Sequence, residues 1–570
     1  MPDPRVRLRR SLQARLSAWK NRRRVARLAA QVAAHAEPDP RQAPVVFFNA
    51  SARLTGVSQN ASFASLAAWS LRLAVTRVIH FVCRSGMRRC VLGTDQNDFS
   101  TPPPCAVCAA QSQRLYANAE TRYFDYIEDP ALAEELEGLS IPELAAFDFP
   151  LELPAQTVGA EAQTVQLPLG RLVMPSMRWA LRRHDLPDDA EHRALLRMYL
   201  LSAYRVAQAT VDLLLDVQPQ RVVVFNGIMY PEAAARWVAA QLKVPVITHE
   251  VGFQRFSAFF SAGDATAYPI VIPPDFDLDA AQSRRLDAYL EQRFQGQFTM
   301  AGIRFWPEMR GLDAAFLDKA AQFRQVVPIF TNVVYDTSQV HANTLFPHMF
   351  AWLDLLLEVM RAHPETLFVI RAHPDEMRPN SRKKSRQSVR AWVEQNRVAG
   401  AQAALSNVVF IDSQEYVSSY ELIGLAKFVI VYNSSIGLEA ALLGAPVVCG
   451  GAARYTQYPI VFFPESAAAL RAQIETFLAA EEIEVPAEFR RQARRFLHYQ
   501  LERVSLPFDD FIEAGPRQGF VTFKAFDWRK LLPANHVTLR TVVQGILHPQ
   551  TAAFYLPEAE GTTKKEAFDG

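Results

Sequence analysis

Long apolar runs are missing from this chain of 570 residues. Its most apolar helical stretch, LFPHMFAWLDLLLEVM, is interrupted by Pro347, His348, Asp354 and Glu358, whereas a membrane-spanning helix needs roughly 20 apolar residues in a row. We also find no secretory signal, no internal repeat and no recognised nucleic-acid-binding module. The sequence therefore argues against an integral membrane protein, a secreted protein and a nucleic-acid partner, and we expect a cytoplasmic protein.

Cysteine is scarce, with 5 residues in the chain, and four of these five lie in one window with the spacing C-x6-C-x14-C-x2-C. They are Cys83, Cys90, Cys105 and Cys108. Four thiolates so spaced can close on a tetrahedral structural zinc ion and leave no open coordination position. An iron–sulfur cluster is one alternative, and unligated or disulfide-bonded cysteines are another.

Charge is nearly balanced over the whole chain, at a net +2, but it is unevenly distributed. Residues 1–36 contain ten Lys or Arg and one acidic residue, a net charge of +9, while the rest carries 51 basic and 58 acidic residues, a net charge of −7. In the basic arm Leu8, Leu12, Leu16 and Trp19 recur at helical spacing. A basic amphipathic helix suits an anionic membrane surface; the alternatives are a helix packed on the protein itself and a solvated tail.

Polar loops follow two buried strand patterns in the second half of the chain. The first strand leads into Arg371 and His373, and Pro374 disfavours a helical conformation at His373. Ligands of open parallel α/β sheets lie at the carboxyl ends of strands, and an imidazole or guanidinium there can stabilise a departing phosphate. A solvated loop histidine is the alternative interpretation.

The second of these loops contains Ser434 and Ser435 and precedes a helical pattern. Either serine can cap that helix, whose free N–H groups then face a phosphate, and Gly437 would allow close approach. Glu439, about one turn further on, can accept hydrogen bonds from ribose hydroxyls. An ordinary strand–helix–strand unit with a capping serine explains the same residues.

The segment RAHP at 371–374, followed by NSSIGLEAALLGAPVV at 433–448, resembles the capsule polysaccharide biosynthesis proteins. That family includes Kdo transferases and is related to bacterial polysialyltransferases, and the resemblance covers about residues 45–500. It implies a GT-B architecture, in which two Rossmann-like domains face each other across a cleft, and an enzyme without a catalytic metal. No Asp-x-Asp motif is placed to argue otherwise.

The related sialyl- and polysialyltransferases take their general base from an acidic-x-Gly motif and bind the donor with the His-Pro and Ser motifs. Here the matching segment is Glu250-Val251-Gly252, at the end of a predicted strand. The resemblance makes Glu250 the candidate base, which would deprotonate an acceptor hydroxyl, and it makes His373 the second catalytic candidate. Family members with two acids carry one where this chain has Val251, and a structural glutamate is the alternative.

A polar loop near the N-terminus follows the strand pattern VVFFNA and precedes a helical pattern. Loops of this kind line the acceptor side of a GT-B cleft. We therefore predict acceptor contacts at Asn49, Ser51, Arg53 and Asn60; a polar loop without a function is the alternative.

These patterns together predict an α/β, GT-B-like fold with a cysteine-rich insertion and a basic N-terminal helix. The predicted parts are a basic arm (1–40), an acceptor domain (41–322) with the insertion at 83–108, a nucleotide-sugar domain (323–500) and a C-terminal extension (501–570) with a disordered end.

The predicted function is transfer of a sugar from a nucleotide sugar to a saccharide or lipid-linked saccharide. The resemblance suggests a CMP-activated acidic sugar such as Kdo or sialic acid, and the basic arm suggests work at the inner face of the cytoplasmic membrane. One alternative is a nucleotide-sugar epimerase of the same fold. Another is a non-catalytic saccharide-binding or scaffold protein.

Overall fold

A computed structural model describes residues 4–50, 56–154, 162–295, 309–378, 384–399, 405–516 and 519–558. Two large sheets, the first mostly parallel and the second entirely parallel, form its centre, and helices cover both faces of each. Up to residue 295 the elements are α1 (Pro4–His35), β1 (Val45–Asn49), β2 (Val57–Ser58), α2 (Gln59–Leu73), β3 (Val78–Cys83), α3 (Cys105–Leu115), β4 (Glu120–Phe124), α4 (Pro130–Glu135), α5 (Ile141–Ala145), β5 (Phe149–Leu153), β6 (Gln163–Leu167), α6 (Leu169–Leu181), α7 (Ala190–Val217), β7 (Arg221–Phe225), α8 (Tyr230–Gln241), β8 (Val246–Val251), β9 (Ser257–Ser261) and α9 (Ala280–Phe294).

The remaining elements build the second sheet and then return to the first. They are α10 (Ala314–Ala320), β10 (Gln325–Phe330), α11 (Gln339–Ala342), α12 (Met349–Ala362), β11 (Thr366–Arg371), α13 (Val389–Gln395), β12 (Val408–Ile411), α14 (Ser419–Leu425), β13 (Val429–Val431), α15 (Ile436–Leu442), β14 (Val447–Cys449), α16 (Ala467–Ala479), α17 (Ala487–His498), β15 (Leu506–Pro507), β16 (Ile512–Ala514), β17 (Phe520–Phe523) and α18 (Val537–Leu547).

The first sheet has the strand order β15-β9-β8-β7-β1-β3-β4. Its five strands from β8 to β4 pair in parallel, while β9 and β15 pair antiparallel at one edge. Val46 and Phe48 face one core with α6, α7 and α8, and Val45 and Phe47 face another with α2 and α18. Because both faces of the sheet are covered, its central strands consist of consecutive apolar residues.

The second sheet has five parallel strands in the order β12-β11-β10-β13-β14. Trp352 and Leu353 of α12 are fully buried against one face of this sheet. The central strand comes first in the chain and the order reverses beside it, as in Rossmann-like sheets. The predicted fold of two Rossmann-like domains facing across a cleft is therefore confirmed.

The C-terminal segment completes the first domain. After α17 the chain makes a π-helical turn and β15 then pairs with β9, while β17 pairs with β2. Leu539 and Val542 of α18 are buried in the same core as Phe63 of α2. The extension predicted from residue 501 thus packs on the first domain up to Phe554.

Helix α1 has two different halves. Its C-terminal half packs on the protein, where Val25, Leu28 and Val32 are buried. Leu16 and Trp19, nearer the N-terminus, are 57% and 49% exposed. Among the residues that the structure describes, none of the helices combines the length and the hydropathy needed to cross a membrane.

Candidate active site

Two adjoining cavities lie in the cleft between the domains, with volumes of about 710 and 400 Å³. The larger cavity is lined mainly by loops that follow strands of the second sheet, and the smaller one by loops that follow strands of the first. Both cavities are lined by Trp179, Val251, Thr266, Tyr268, Asp336, Ser338 and Arg454. A ligand can therefore extend from one domain to the other.

Glu250 lies on the wall of the smaller cavity, near the end of β8. Asn60 Nδ2 donates to its Oε1 at 3.1 Å, Asn226 Nδ2 donates to its Oε2 at 2.7 Å, and the N–H of Val251 donates to Oε1 at 2.8 Å. These three donors fix the orientation of the carboxylate. A carboxylate held in one orientation on a cavity wall is placed as a general base must be.

Asn226 was not among the predicted site residues. It follows β7 with a positive φ of 61°, and its Oδ1 accepts a hydrogen bond of 3.0 Å from the N–H of Ile228. Asparagine tolerates this backbone conformation better than most residues. A loop of sequence Asn-Gly after a strand was the available signal, but only the fold places it beside Glu250.

The predicted acceptor residues have different surroundings. Asn49 lines the smaller cavity and donates to the carbonyl of Phe47 at 3.0 Å. Asn60 also lines this cavity, although its amide is used to hold Glu250. Ser51 and Arg53 lie outside the described residues, so their acceptor contacts stay predictions.

A second carboxyl group, Glu232, lines the smaller cavity at the first turn of α8. It is 7% exposed, and burial raises its pKa from 4.5 to about 8. At neutral pH this group is therefore mostly protonated. Local sequence patterns do not indicate this environment, because it depends on tertiary packing.

His373 lines the larger cavity, directly after β11. Its Nδ1 accepts a hydrogen bond of 3.1 Å from the N–H of Asp375, and burial lowers its pKa. A neutral imidazole that accepts at Nδ1 carries its proton on Nε2. His373 can thus donate a hydrogen bond to a ligand without carrying a charge.

The structure places the Arg371 guanidinium elsewhere, contrary to the predicted donor contact. Arg371 is 2% exposed, and its Nη1 donates to the carbonyl of Asp412 at 2.6 Å. It does not line either cavity. The side chain extends sideways from β11 to the loop after β12, which its hydrogen bonds support.

Ser434 and Ser435 both line the larger cavity, opposite the first domain. Gly437 has a different role from the predicted one. A Cβ at this position would lie 2.1 Å from the hydroxyl oxygen of Tyr455, and that hydroxyl donates to the carbonyl of Ser434 at 2.8 Å. The glycine therefore makes room for Tyr455, which supports the serine loop from behind.

Glu439 lines the larger cavity but already has two protein partners. Arg293 Nη2 donates to its Oε1 at 2.6 Å, and the hydroxyl of Tyr420 donates to its Oε2 at 2.5 Å. Both members of the ion pair are buried. The predicted ribose contact would have to use the remaining lone pairs of this carboxylate, and it stays a prediction.

The two domains contact each other beside the cavities. Arg236 Nη1 donates to Asp264 Oδ2 at 2.8 Å, and Thr266 Oγ1 lies 2.7 Å from His341 Nε2 in the second domain. Burial alone would raise the pKa of Asp264, but hydrogen bonds from His341, Arg236 and Thr266 outweigh burial and hold it below its ordinary value. The loop after β10 is thereby fixed against the first domain.

Of the four clustered cysteines, Cys83 ends β3, Cys90 precedes a 3-10 turn, and Cys105 and Cys108 lie in the first turn of α3; none of them forms a disulfide. The N–H groups of Gly86 and Gly93 each donate to a sulfur at 3.2 Å, that of Cys83 and that of Cys90. Burial raises the pKa of Cys83 to about 12 and that of Cys90 to about 11. Such N–H···S bonds also support metal-bound thiolates.

The sulfur positions do not by themselves complete a metal site. Within the described part of the chain, no three of the four Sγ atoms lie within 4.8 Å of one another. Sulfurs on one tetrahedral zinc ion would be only about 3.8 Å apart. The zinc ion predicted at Cys83, Cys90, Cys105 and Cys108 stays a prediction.

Residues 302–460 match the family model described as capsule polysaccharide biosynthesis protein. This segment contains the second sheet and the cavity residues His373, Ser434 and Arg454. For this part of the chain, the match confirms the family that the RAHP and NSSIGLEAALLGAPVV motifs indicated. Among curated proteins, none matches the sequence.

Several solved structures are similar to this chain at low identity. KpsC of Thermosulfurimonas dismutans, a beta Kdo 2,4 transferase, is 11% identical over 54% of this chain and 84% of its own, with a TM-score of 0.33. UDP-GlcNAc 2-epimerase of Neisseria meningitidis bound to UDP-GlcNAc is 12% identical over 80% and 96%, with a TM-score of 0.23. Sucrose-phosphate synthase of Thermosynechococcus elongatus is 12% identical over 81% and 94%, with a TM-score of 0.26. Similarities this low leave the reaction to be argued from the site itself.

Proposed function

We propose that this chain, whose residues 302–460 match the capsule polysaccharide biosynthesis family, is a glycosyltransferase that acts without a catalytic metal. It transfers a sugar from a nucleotide sugar to a saccharide acceptor. The observation that carries the proposal is Glu250, a carboxylate oriented by Asn60 and Asn226 in a cleft whose other side holds His373 and Ser434.

In the proposed reaction the acceptor lies in the smaller cavity and the donor in the larger one. Glu250 takes the proton of an acceptor hydroxyl as its oxygen bonds to the anomeric carbon of the donor sugar. The bond from that carbon to the phosphate oxygen breaks, and the phosphate keeps the electron pair. A hydrogen bond from the Nε2–H of His373 and hydrogen bonds from the serine loop would stabilise this developing charge.

A CMP-activated acidic sugar is the donor we favour, since the motif resemblance indicates it. The exposed part of α1 indicates where the reaction takes place. Its side chains Leu16 and Trp19 are exposed and apolar, and they lie on a strongly basic helix. We propose that this part of α1 rests on the anionic inner face of the cytoplasmic membrane, where a lipid-linked acceptor would be presented.

The test is a transfer assay with purified protein, nucleotide sugars and saccharide acceptors, comparing the wild type with Glu250→Gln. Loss of the base should lower the transfer rate by about 10²–10⁴-fold, while the melting-temperature shift caused by the donor should persist, because the donor cavity is intact. The exposed Glu137→Gln variant is the matched control and should transfer normally.

Two outcomes would contradict the proposal. Transfer at wild-type rate by Glu250→Gln would remove Glu250 from the reaction. Conversion of a UDP-sugar to its epimer in the absence of any acceptor would identify an epimerase.

A binding measurement tests the donor side of the cleft. His373→Ala is expected to weaken nucleotide binding by about tenfold, because one hydrogen bond to a charged group is lost.

A further inference from the structure

Arg182 directly follows α6 and is held in place by the second domain. Its backbone is left-handed, with φ 59° and ψ 40°, and its carbonyl accepts a hydrogen bond of 2.8 Å from the N–H of Arg386. The residue is only 7% exposed, yet it lines the larger cavity. A left-handed arginine is uncommon, so the contacts between the domains fix this position.

The guanidinium of Arg182 has aromatic neighbours and, among the described residues, forms no ion pair; the charge of Asp336 affects its pKa less than burial does. Its Cζ lies 3.9 Å from the ring centroid of Trp179 and 5.0 Å from that of Tyr335. Within the described ranges, Nε and Nη1 are buried without a hydrogen-bond partner. Burial consequently lowers the pKa of Arg182.

Other arginines of the same cavity are neutralised by the protein. Arg293 is paired with Glu439, and both Nε and Nη2 of Arg378 donate to the carboxylate of Asp375. A buried cation without a counter-charge is costly, on the order of several kcal/mol. Such a cost is expected where a ligand supplies the missing negative charge.

Arg454 provides a second cation from the opposite domain. Its Cζ lies 3.9 Å from the ring centroid of Tyr268 and 4.8 Å from that of Phe253. Arg454 lines both cavities and, among the residues that the structure describes, forms no ion pair. The stacking holds the guanidinium beside the junction of the cavities without using its N–H groups.

We propose that Arg182 and Arg454 are specificity-determining residues that bind oxyanion groups of the donor, so that the cavity selects a ligand with at least two such groups. The oxyanion is a phosphate of the nucleotide or the carboxylate of an acidic sugar, and each guanidinium can receive it through two parallel hydrogen bonds. This inference rests on the proposed function, because it concerns the donor of that reaction.

The test measures melting temperature and affinity for the full-length wild type, Arg182→Met, Arg182→Lys and the exposed control Arg114→Met. The ligands are inorganic pyrophosphate, CMP and CMP-sialic acid. Loss of one charge-assisted contact should weaken binding to Arg182→Met by about tenfold or more, Arg182→Lys should lie between Arg182→Met and the wild type, and Arg114→Met should match the wild type. Without ligand, Arg182→Met should melt no lower than the wild type, because the removed cation forms no ion pair among the described residues and methionine can keep the apolar contact with Trp179.

The pattern of losses distinguishes the two sources of the oxyanion. Weaker binding of pyrophosphate and CMP assigns Arg182 to a phosphate, whereas weaker binding of CMP-sialic acid alone assigns it to the sugar carboxylate. Should Arg182→Met not fold, Arg454→Met on the half-exposed cavity wall takes its place with the same expectation.

Equal affinities in the wild type, Arg182→Met and Arg454→Met would overturn the inference. A wild type that none of the three anions stabilises would overturn it as well. Neither result decides the proposed function, which is judged separately by the transfer assay with Glu250→Gln and other nucleotide sugars.

Discussion

Asn226 Nδ2 lies 2.7 Å from Glu250 Oε2, and this hydrogen bond joins the loop after β7 to the end of β8. Asn60, from the first turn of α2, donates to the other carboxylate oxygen at 3.1 Å. Three neighbouring parts of the first domain thus fix one carboxylate on a cavity wall. Two neutral amides hold it without adding a charge, which suits a group that must accept a proton.

Replacing Asn60 by alanine tests this arrangement with little effect on stability. Alanine favours the helix in whose first turn Asn60 lies, and the Oδ1 atom of Asn60 is buried without a partner among the described residues. We expect Asn60→Ala to melt at or above the wild-type temperature but to transfer about tenfold more slowly, because one donor to Glu250 is lost. Initial rates and thermal unfolding check the two effects.

Asn226→Gly extends the same test, since glycine adopts the φ of 61° found there without strain. The double variant should be slower than either single one. Asn396→Ala, which removes an amide that donates to the carbonyl of Trp392, is the control and should transfer normally. Normal transfer by the double variant would show that the two amides do not assist Glu250.

The buried ion pair of Arg293 with Glu439 should matter for stability. Arg293→Met leaves the Glu439 carboxylate buried without its cation, and we expect a loss of about 3–5 kcal/mol in the free energy of unfolding. Arg293→Met combined with Glu439→Leu should recover part of this loss, because no charge is then left unpaired. Denaturant unfolding measures both.

An exposed pair provides the comparison for this prediction. Arg285 and Glu502 lie 3.0 Å apart, with side chains 55% and 32% exposed. Arg285→Met should change the free energy of unfolding by less than about 1 kcal/mol. Equal losses in Arg285→Met and Arg293→Met would contradict the role assigned to burial.

The sequence predicted the strand-end loops of the second domain well, for a physical reason. Parallel strands have their carboxyl ends on one edge, so polar residues after β11 and β13 had to meet, and His373 and Ser434 do line one cavity. The partners of charged residues could not be predicted in this way. Glu439 pairs with Arg293, 146 positions away, and Arg371 reaches backbone carbonyls beyond the next strand.

Packing also decides roles that residue type alone does not. Gly437 was predicted to admit a ligand, but the close approach there is made by Tyr455. Within the described ranges Arg182 forms no ion pair, and this follows from its burial between the domains, which local sequence patterns do not indicate. The return of β15 to β9 joins segments about 250 positions apart, which local patterns cannot reveal.

Glu232 should make stability depend on pH. Its pKa is raised from 4.5 to about 8 in the folded state, so the folded protein keeps a proton that the unfolded chain has released between these values. Stability contributed by this group is therefore lost as pH rises from roughly 4.5 to 8. Glu232→Gln should remove a decline of about 2–4 kcal/mol over this range.

Chemical unfolding of the wild type, Glu232→Gln and Glu137→Gln at several pH values between about 5 and 8 measures this decline. Glu137 is exposed and serves as the control. Parallel stability curves for the wild type and Glu232→Gln would show that Glu232 does not hold its proton in the folded protein.

Metal analysis tests whether the four clustered cysteines bind a metal ion. The spacing of Cys83, Cys90, Cys105 and Cys108 predicts about one zinc ion per chain, which Cys105→Ser with Cys108→Ser should lose together with some thermal stability. Cys449→Ser, at a buried cysteine outside the cluster, is the control for metal content. Iron with a visible absorption band would favour a cluster instead, and protein without metal would leave four free thiols.

The exposed part of α1 should bind anionic membranes. Leu16 and Trp19 are exposed, and Arg23 lies over the Trp19 ring, with its Cζ 4.1 Å from the centroid. Burying these side chains in a lipid interface adds apolar transfer energy to the attraction between the basic arm and anionic head groups. We expect cosedimentation with vesicles that contain phosphatidylglycerol, weaker cosedimentation at high salt, and little with pure phosphatidylcholine.

Leu16→Ser with Trp19→Ser should weaken vesicle binding by about tenfold, whereas Leu317→Ser, at an exposed leucine of α10, should not. Equal binding by both variants would place the membrane contact elsewhere, and salt-insensitive binding would argue against the basic arm.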